Sequence, residues 1–393
     1  MNPVAPGAYA QSMQQESTYQ AARAVAKAVE SHFAQHRAEA RQNGPEAALA
    51  PAPPAHVIEA ILDAAFWASL RKEEGQSPKI SLAYLSPEMA GKPLVFEHRF
   101  PLTPTILAKL APGVERPGIH LGVWYEADHL YIWGTTQEVM SYGFVVDVSE
   151  PGLLVVKHRR GDGFGKFANV AVLKGDQVKL INEESASLPD CPGLLKPLLN
   201  LSAPFSGDST VNVLVQLAVS MRAHQRGGTL LVVPAEATTW QDSIIKPILY
   251  SVSPAFSNLS GLMQQPDDEK KKGPWLAAVR QEVGALAGLT AIDGATIIND
   301  RHELLAFGTK IGRAYGHDPV EQMMITEPIV GNEGRVIHPS QNGGTRHLSA
   351  AQFVYDQRDA LALVASQDGR FTVFSWSSCE EMVHAHRIDS LLL

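Results

Sequence analysis

Thr229-Leu230-Leu231-Val232-Val233 is a continuous apolar run that stops at Pro234. A strand with one wet face alternates apolar and polar residues. A run without alternation fits a strand covered on both faces, so the flanking chain should supply helices. Before the run, residues 211–224 place Leu214, Val215, Ala218 and Val219 on one helical face. Asp208-Ser209-Thr210 offers an N-cap for that helix, and Arg226-Gly227-Gly228 a stop. After the run, residues 240–290 read as helical pieces, broken by Pro254 and by the charge run at 267–272, which reads as a solvated loop. A helix over 275–289 feeds into Asp293-Gly294-Ala295-Thr296-Ile297-Ile298, a turn followed by a strand. Further strands are expected at 304–307, 361–364 and 370–376. The last follows Ser366-Gln367-Asp368-Gly369, whose Asp-Gly pair marks a tight hairpin. Strands alternating with helices predict an α/β domain over 208–393, with an insertion near 236–274.

The other half of the chain has a different character. A helix is expected over 19–40, with Ala22, Val25, Ala26, Val29 and Phe33 on one stripe. Pro45, Pro51, Pro53 and Pro54 then read as a stiff linker. A second helix over 57–72 carries Ile58, Ile61, Leu62, Ala65 and Phe66. Trp67 widens its apolar face, as if to pack on two sides. From 80 onward, short β-rich runs follow one another at 80–85, 94–100, 118–124, 130–133, 142–148, 153–157, 170–173 and 178–181. Ala127-Asp128-His129 and Lys174-Gly175-Asp176 mark hairpin tips. The fold class expected is therefore α+β in two domains. Residues 1–55 form a mobile N-terminus, helix and linker, 56–207 a helix plus a β-rich domain, and 208–393 the α/β domain.

Composition narrows the function classes. With 393 residues, one core is too few. A net charge of −8 argues against general nucleic-acid binding, which needs a basic face. Two cysteines, Cys191 and Cys379, make neither a disulfide framework nor a zinc ribbon and suit a reducing cytoplasm. The absence of a basic start followed by an apolar stretch predicts no signal peptide, and no apolar run long enough to span a bilayer is present.

Two strings carry candidate chemistry. In Gly343-Gly344-Thr345-Arg346-His347, the glycines let backbone approach a ligand. Thr345 adds a hydroxyl, Arg346 a fork of donors suited to phosphate, and His347 a further donor. Small residues after it start a helix, whose N-terminus favours anions. In Asp293-Gly294-Ala295, the carboxylate could hold a metal or accept a proton. Taken singly, the first string also fits a loop with a surface ion pair, and the second a plain turn. Residues 157–166 form a basic, glycine-rich loop, read as a long hairpin or a basic arm. It is not a phosphate-binding P-loop, since Phe167 replaces the required hydroxyl residue. Cys379, His384 and His386 could share a metal but lack an evident fourth ligand. Trp124 and Trp133 read as core.

The order Gly-Gly-Thr-Leu-Leu-Val-Val, Asp-Gly-Ala-Thr-Ile-Ile, Gly-Thr-Arg-His and Val-Ala-Ser-Gln-Asp-Gly resembles the diadenylate cyclase (DAC) domain. With the β-rich first half, the chain is most similar to the DAC-derived sensor family DACNV. The resemblance implies that Asp293 corresponds to a metal-binding, catalytic acid if the domain is active. It implies that Gly294, Ala295, Gly344, Thr345, Arg346, His347 and Ser366 contact the nucleotide. Leu348 stands where active cyclases carry a second Arg, and Gln367-Asp368 where they carry a Glu pair. Loss of a cation hurts phosphoryl-transfer transition states more than ground-state binding.

The function expected is an intracellular, cytoplasmic sensor that binds an adenine nucleotide or cyclic dinucleotide and is catalytically degenerate. Two rival readings stand beside it. One is an active cyclase that makes cyclic di-AMP from two ATP molecules in a dimer, using Mg2+ or Mn2+. The other is a scaffold that binds nothing. The expected partner is the nucleotide, ATP or a cyclic dinucleotide. A homo-oligomer is left open, and neither a membrane nor general nucleic acid is expected.

Overall fold

The computed structural model describes residues 17–43, 49–126, 129–159, 167–187, 192–193, 195, 212–270 and 272–393. Outside them lie residues 1–16, part of the proline linker, Ala127-Asp128, most of the 157–166 loop, Cys191 and Asp208-Ser209-Thr210. The chain divides between Leu180 and Ile181 into two compact units.

In the first unit, helix α1 (Gln20–Asn43) buries Ala22, Val25, Ala26, Val29 and Phe33, the stripe legible in the sequence. Helix α2 (Ala55–Ser69) starts directly after Pro54 and buries Val57, Ile58, Ile61, Leu62 and Ala65. Trp67 does not extend that face inward. It is 40% exposed, and its Nε1–H donates to Thr18 Oγ1 at 2.7 Å. The indole N–H needs a partner, and the surface supplies one.

The strands are β1 (Ile80–Tyr84), β2 (Leu94–Pro101), β3 (His120–Glu126), β4 (His129–Thr136), β5 (Phe144–Glu150), β6 (Leu153–Arg159), β7 (Phe167–Lys174) and β8 (Gln177–Leu180). A short helix, α3 (Pro104–Leu110), lies between β2 and β3, in a stretch without a periodic apolar signal. The sheet order is β2-β4-β3-β1-β5-β6-β7-β8, antiparallel except for β1 beside β3. Successive side chains of a strand point to opposite faces. Ile80, Leu82 and Tyr84 accordingly join the core under α1 and α2. Ala83 and Leu85 join Trp133 on the reverse face, where the Trp133 indole donates to the Leu85 carbonyl at 2.7 Å.

In the second unit, helix α4 (Val213–Ala223) is capped by Asn212, whose side chain accepts the Val215 N–H at 3.1 Å. Strand β9 (Gly228–Val233) is buried along its whole length. Strand β10 (Tyr250–Phe256) and helices α5 (Asn258–Met263) and α6 (Asp267–Lys270) precede the long helix α7 (Gly273–Leu289). Asp267–Lys270 of the charge run thus form a solvated helical turn, not a loop. Then come β11 (Ala295–Asn299), β12 (Leu304–Thr309), β13 (Met323–Thr326), β14 (Arg335–Ile337), helix α8 (Thr345–Asp356), β15 (Leu361–Ala365), β16 (Phe371–Ser377) and β17 (Met382–Arg387).

The nine strands form one mixed sheet, β10-β12-β11-β9-β15-β16-β17-β13-β14. Leu230 and Val232 pack with α4 and α7 on one face. Leu231 and Val233 pack with α8 on the other. Each such burial is worth about 1.5–3 kcal/mol. This two-sided burial is what the unbroken apolar run requires. Among the described residues, no helix is long and apolar enough to cross a membrane.

Candidate functional site

The site is built where several chain segments meet at the start of β9. Register brings them there. Ala295 pairs with Thr229 in parallel and with Thr309 in antiparallel, while Ala365 pairs with Gly228. The N-terminus of α8 ends at the same place. Together they wall a cavity of about 540 Å3, which Lys310, Thr229, Thr309 and Ile245 also line. Every residue expected at the site lies in this wall: Asp293, Gly294, Ala295, Gly344, Thr345, Arg346, His347 and Ser366.

Gly294 has a φ of +113°, and a Cβ there would stand 2.5 Å from the Gly308 carbonyl carbon. Only glycine lets the chain cross β12 so closely. That crossing sets Asp293 beside Lys310, with Nζ 2.5 Å from Oδ2. The hydrogen bond and charge of Lys310, aided by the Arg346 charge, hold the Asp293 carboxyl below its usual range. It is therefore ionised at neutral pH.

Gly344 occupies the N-cap of α8 and has no side chain to cap it. The first N–H groups of a helix lack intrahelical partners and carry the positive end of its dipole. Arg346 follows at once, and its guanidinium lies against Gly227. His347 turns the other way. It is 5% exposed, and its ring meets Phe374 edge-on at 6.1 Å between centroids. Burial lowers its pKa; Arg370, Arg387 and Arg346 add to this, and Asp368 opposes it. The ring is therefore neutral at pH 7, yet its buried Nε2 has no hydrogen-bond partner. A buried polar atom left unpaired is uncommon, and a ligand is one thing that pairs it. The Ser366 N–H donates to the Arg370 carbonyl at 2.9 Å and closes the β15–β16 hairpin.

The residues that depart from the cyclase pattern sit elsewhere. Leu348 is 39% exposed and does not line the cavity. The Gln367 side chain donates to the Arg226 carbonyl at 3.3 Å, and Asp368 pairs with Arg370. His386 is engaged by Thr326 and Ser375, and His384 by Glu380, so their rings serve the sheet. Of the basic loop only its first residues are described, and Lys157 there pairs with Asp147 at 2.8 Å.

A larger hollow, about 960 Å3, opens at Val233 and Pro234, the far end of β9. Asp242, Asp356 and Asp359 line it together with Lys246 and Arg358, so it gathers both signs of charge rather than cations alone. Arg358 already stacks on Trp376 at 4.1 Å, and Asp356 already accepts the Ala314 N–H at 2.8 Å. The smaller cavity gathers Lys310, Arg346 and the N-terminus of α8, so size does not decide between them.

The wall combines cations and the N-terminus of α8 with the apolar side chains of Ile245 and Ala365. Sequence reading missed Lys310. The available signal was register, since Asp293 and Lys310 flank the paired residues Ala295 and Thr309.

Residues 47–137 match the family model DACNV, described as a probable sensor domain. This is the family that the sequence resembles. The matched stretch lies wholly in the first unit, whereas the cavity lies in the second. No curated protein matches the chain.

Proposed function

We propose that the chain is a nucleotide sensor whose second unit binds an adenine nucleotide or a cyclic dinucleotide and does not turn it over. One observation carries the reading. An uncapped helix N-terminus, Arg346 and Lys310 line a single cavity, and His347, whose buried Nε2 is unpaired, adjoins it. The DACNV match supports the sensor part. Leu348, an apolar residue where the resembled cyclases carry an Arg, supports loss of turnover, because one cation fewer is available to meet charge developing on a phosphoryl group.

Binding would act by favouring whichever conformation holds the ligand best. A thermal-shift series with AMP, ATP and cyclic di-AMP tests it. A ligand at a hundred times its Kd stabilises the native state by about 2.7 kcal/mol, so at least one should raise Tm by several degrees. The same sample, given ATP with magnesium or manganese, should form no cyclic di-AMP. Turnover would establish the cyclase instead. A flat response to every nucleotide would leave a scaffold.

A further inference from the structure

We infer that Lys310, and not a divalent metal ion, supplies the charge opposite the ligand's phosphate, so that the site takes a metal-free phosphodiester such as a cyclic nucleotide or cyclic dinucleotide. The inference rests on the nucleotide reading above and narrows its ligand class.

The first ground is the donor set. Magnesium and manganese want several hard oxygen ligands, usually including more than one carboxylate or a substrate polyphosphate. Among the described residues, Asp293 is the only carboxylate in the cavity wall. Its Oδ2 already receives the Lys310 ammonium. A metal seated on Asp293 would have to displace that ammonium or face it at close range, like charge against like. The residues present do not fit the ion.

The second ground is charge balance. Lys310 and Arg346 bring positive charge, and Asp293 is their one counter-charge in the wall among the described residues. His347 adds none, being neutral. One positive charge is left over. A phosphodiester brings one negative charge per phosphate, whereas a triphosphate brings several and normally arrives with magnesium. The balance therefore favours the diester.

The third ground is geometry. An ammonium has three donors. Asp293 takes one, which leaves two for phosphate oxygens. Lys310 follows Thr309, and Thr309 is anchored by its hydroxyl to the Ala295 carbonyl at 2.9 Å. The lysine is thus held at the cavity by a hairpin rather than by a free loop.

The test is calorimetric titration of the full chain with cyclic di-AMP and with ATP, each in EDTA and in magnesium. Circular dichroism should first confirm that every variant is folded. Cyclic di-AMP should bind equally well in both buffers, and more tightly than ATP. Lys310→Gln should weaken it about tenfold or more, as expected for a lost charged hydrogen bond. Asp293→Asn should tighten it, since an opposing charge is gone. A metal site predicts the reverse for Asp293→Asn. Binding that needs magnesium, or weakens in Asp293→Asn, overturns the inference and leaves nucleotide binding standing. If neither nucleotide binds in either buffer, the nucleotide reading fails and takes the inference with it.

Discussion

The guanidinium of Arg346 lies across Gly227: Nη1 is 3.1 Å from where a Cβ on that glycine would be. Gly227 also holds a φ of +72°. Gly227→Ala should therefore cost about 1–2 kcal/mol in backbone strain and push the guanidinium off its seat. Gly316 is the control, with a φ of +80° and nothing within 4 Å of its would-be Cβ. Urea unfolding should show similar losses for Gly227→Ala and Gly316→Ala. Nucleotide titration should show weaker binding only for Gly227→Ala.

His347 separates stability from binding in the opposite sense. Its Nε2 is buried and unpaired in the free protein. Replacing such a group by an apolar one of similar shape is neutral or stabilising. His347→Phe should therefore leave Tm unchanged or raise it, while nucleotide affinity falls about tenfold or more, the worth of a buried hydrogen bond to a charged ligand. A parallel loss of both would mean that the ring is only core.

Phe353 holds the motif helix down. It is fully buried on α8, in the cluster that contains Leu231 and Val233. Phe353→Ala should cost about 3–5 kcal/mol. Binding should fall with it, because α8 carries Thr345, Arg346 and His347 at its other end. Scanning calorimetry and titration on one preparation check both.

Acid should weaken the second unit through His386. Burial first, then the neighbouring His384, holds its pKa down to about 3. Unfolded, the ring titrates near 6.5. Below that pH the unfolded chain takes up a proton that the folded one refuses. The stability this group contributes is complete above about pH 6.5 and is lost as pH falls toward 3, at up to about 1.4 kcal/mol per pH unit. Urea unfolding across that range should show the slope, and His386→Gln should flatten it.

The sheet centre was legible because burial wrote itself into composition. Leu230 to Val233 are apolar without a break since both faces of β9 are covered. The stripe of α1 was legible for the same reason on one face. Edge strands left weaker marks. β10 contains Pro254 and is mostly exposed, so neither apolar alternation nor strand propensity singles it out. β13 and β14 are too short for a period to show. Helix α3 is two turns long and opens with Pro104, with the same result. At the candidate site, the glycine strings were visible because close backbone approach restricts residue type, and Arg346 stood out beside them. Lys310 did not, since a lone lysine after a strand reads as solvent-facing. Only the pairing of Thr309 with Ala295 gives it a neighbour.

The cavity wall takes residues from separate stretches, from Thr229 to Ser366, joined through β9, β11, β12 and β15. Contacts between residues so far apart in sequence form late and slowly in folding. A ligand finds its partners only once these strands have met, after the main barrier has been crossed. It should therefore leave the refolding rate unchanged and slow unfolding. Stopped-flow traces would show the whole stabilisation in the unfolding limb, and occupancy would lengthen the lifetime of the folded chain.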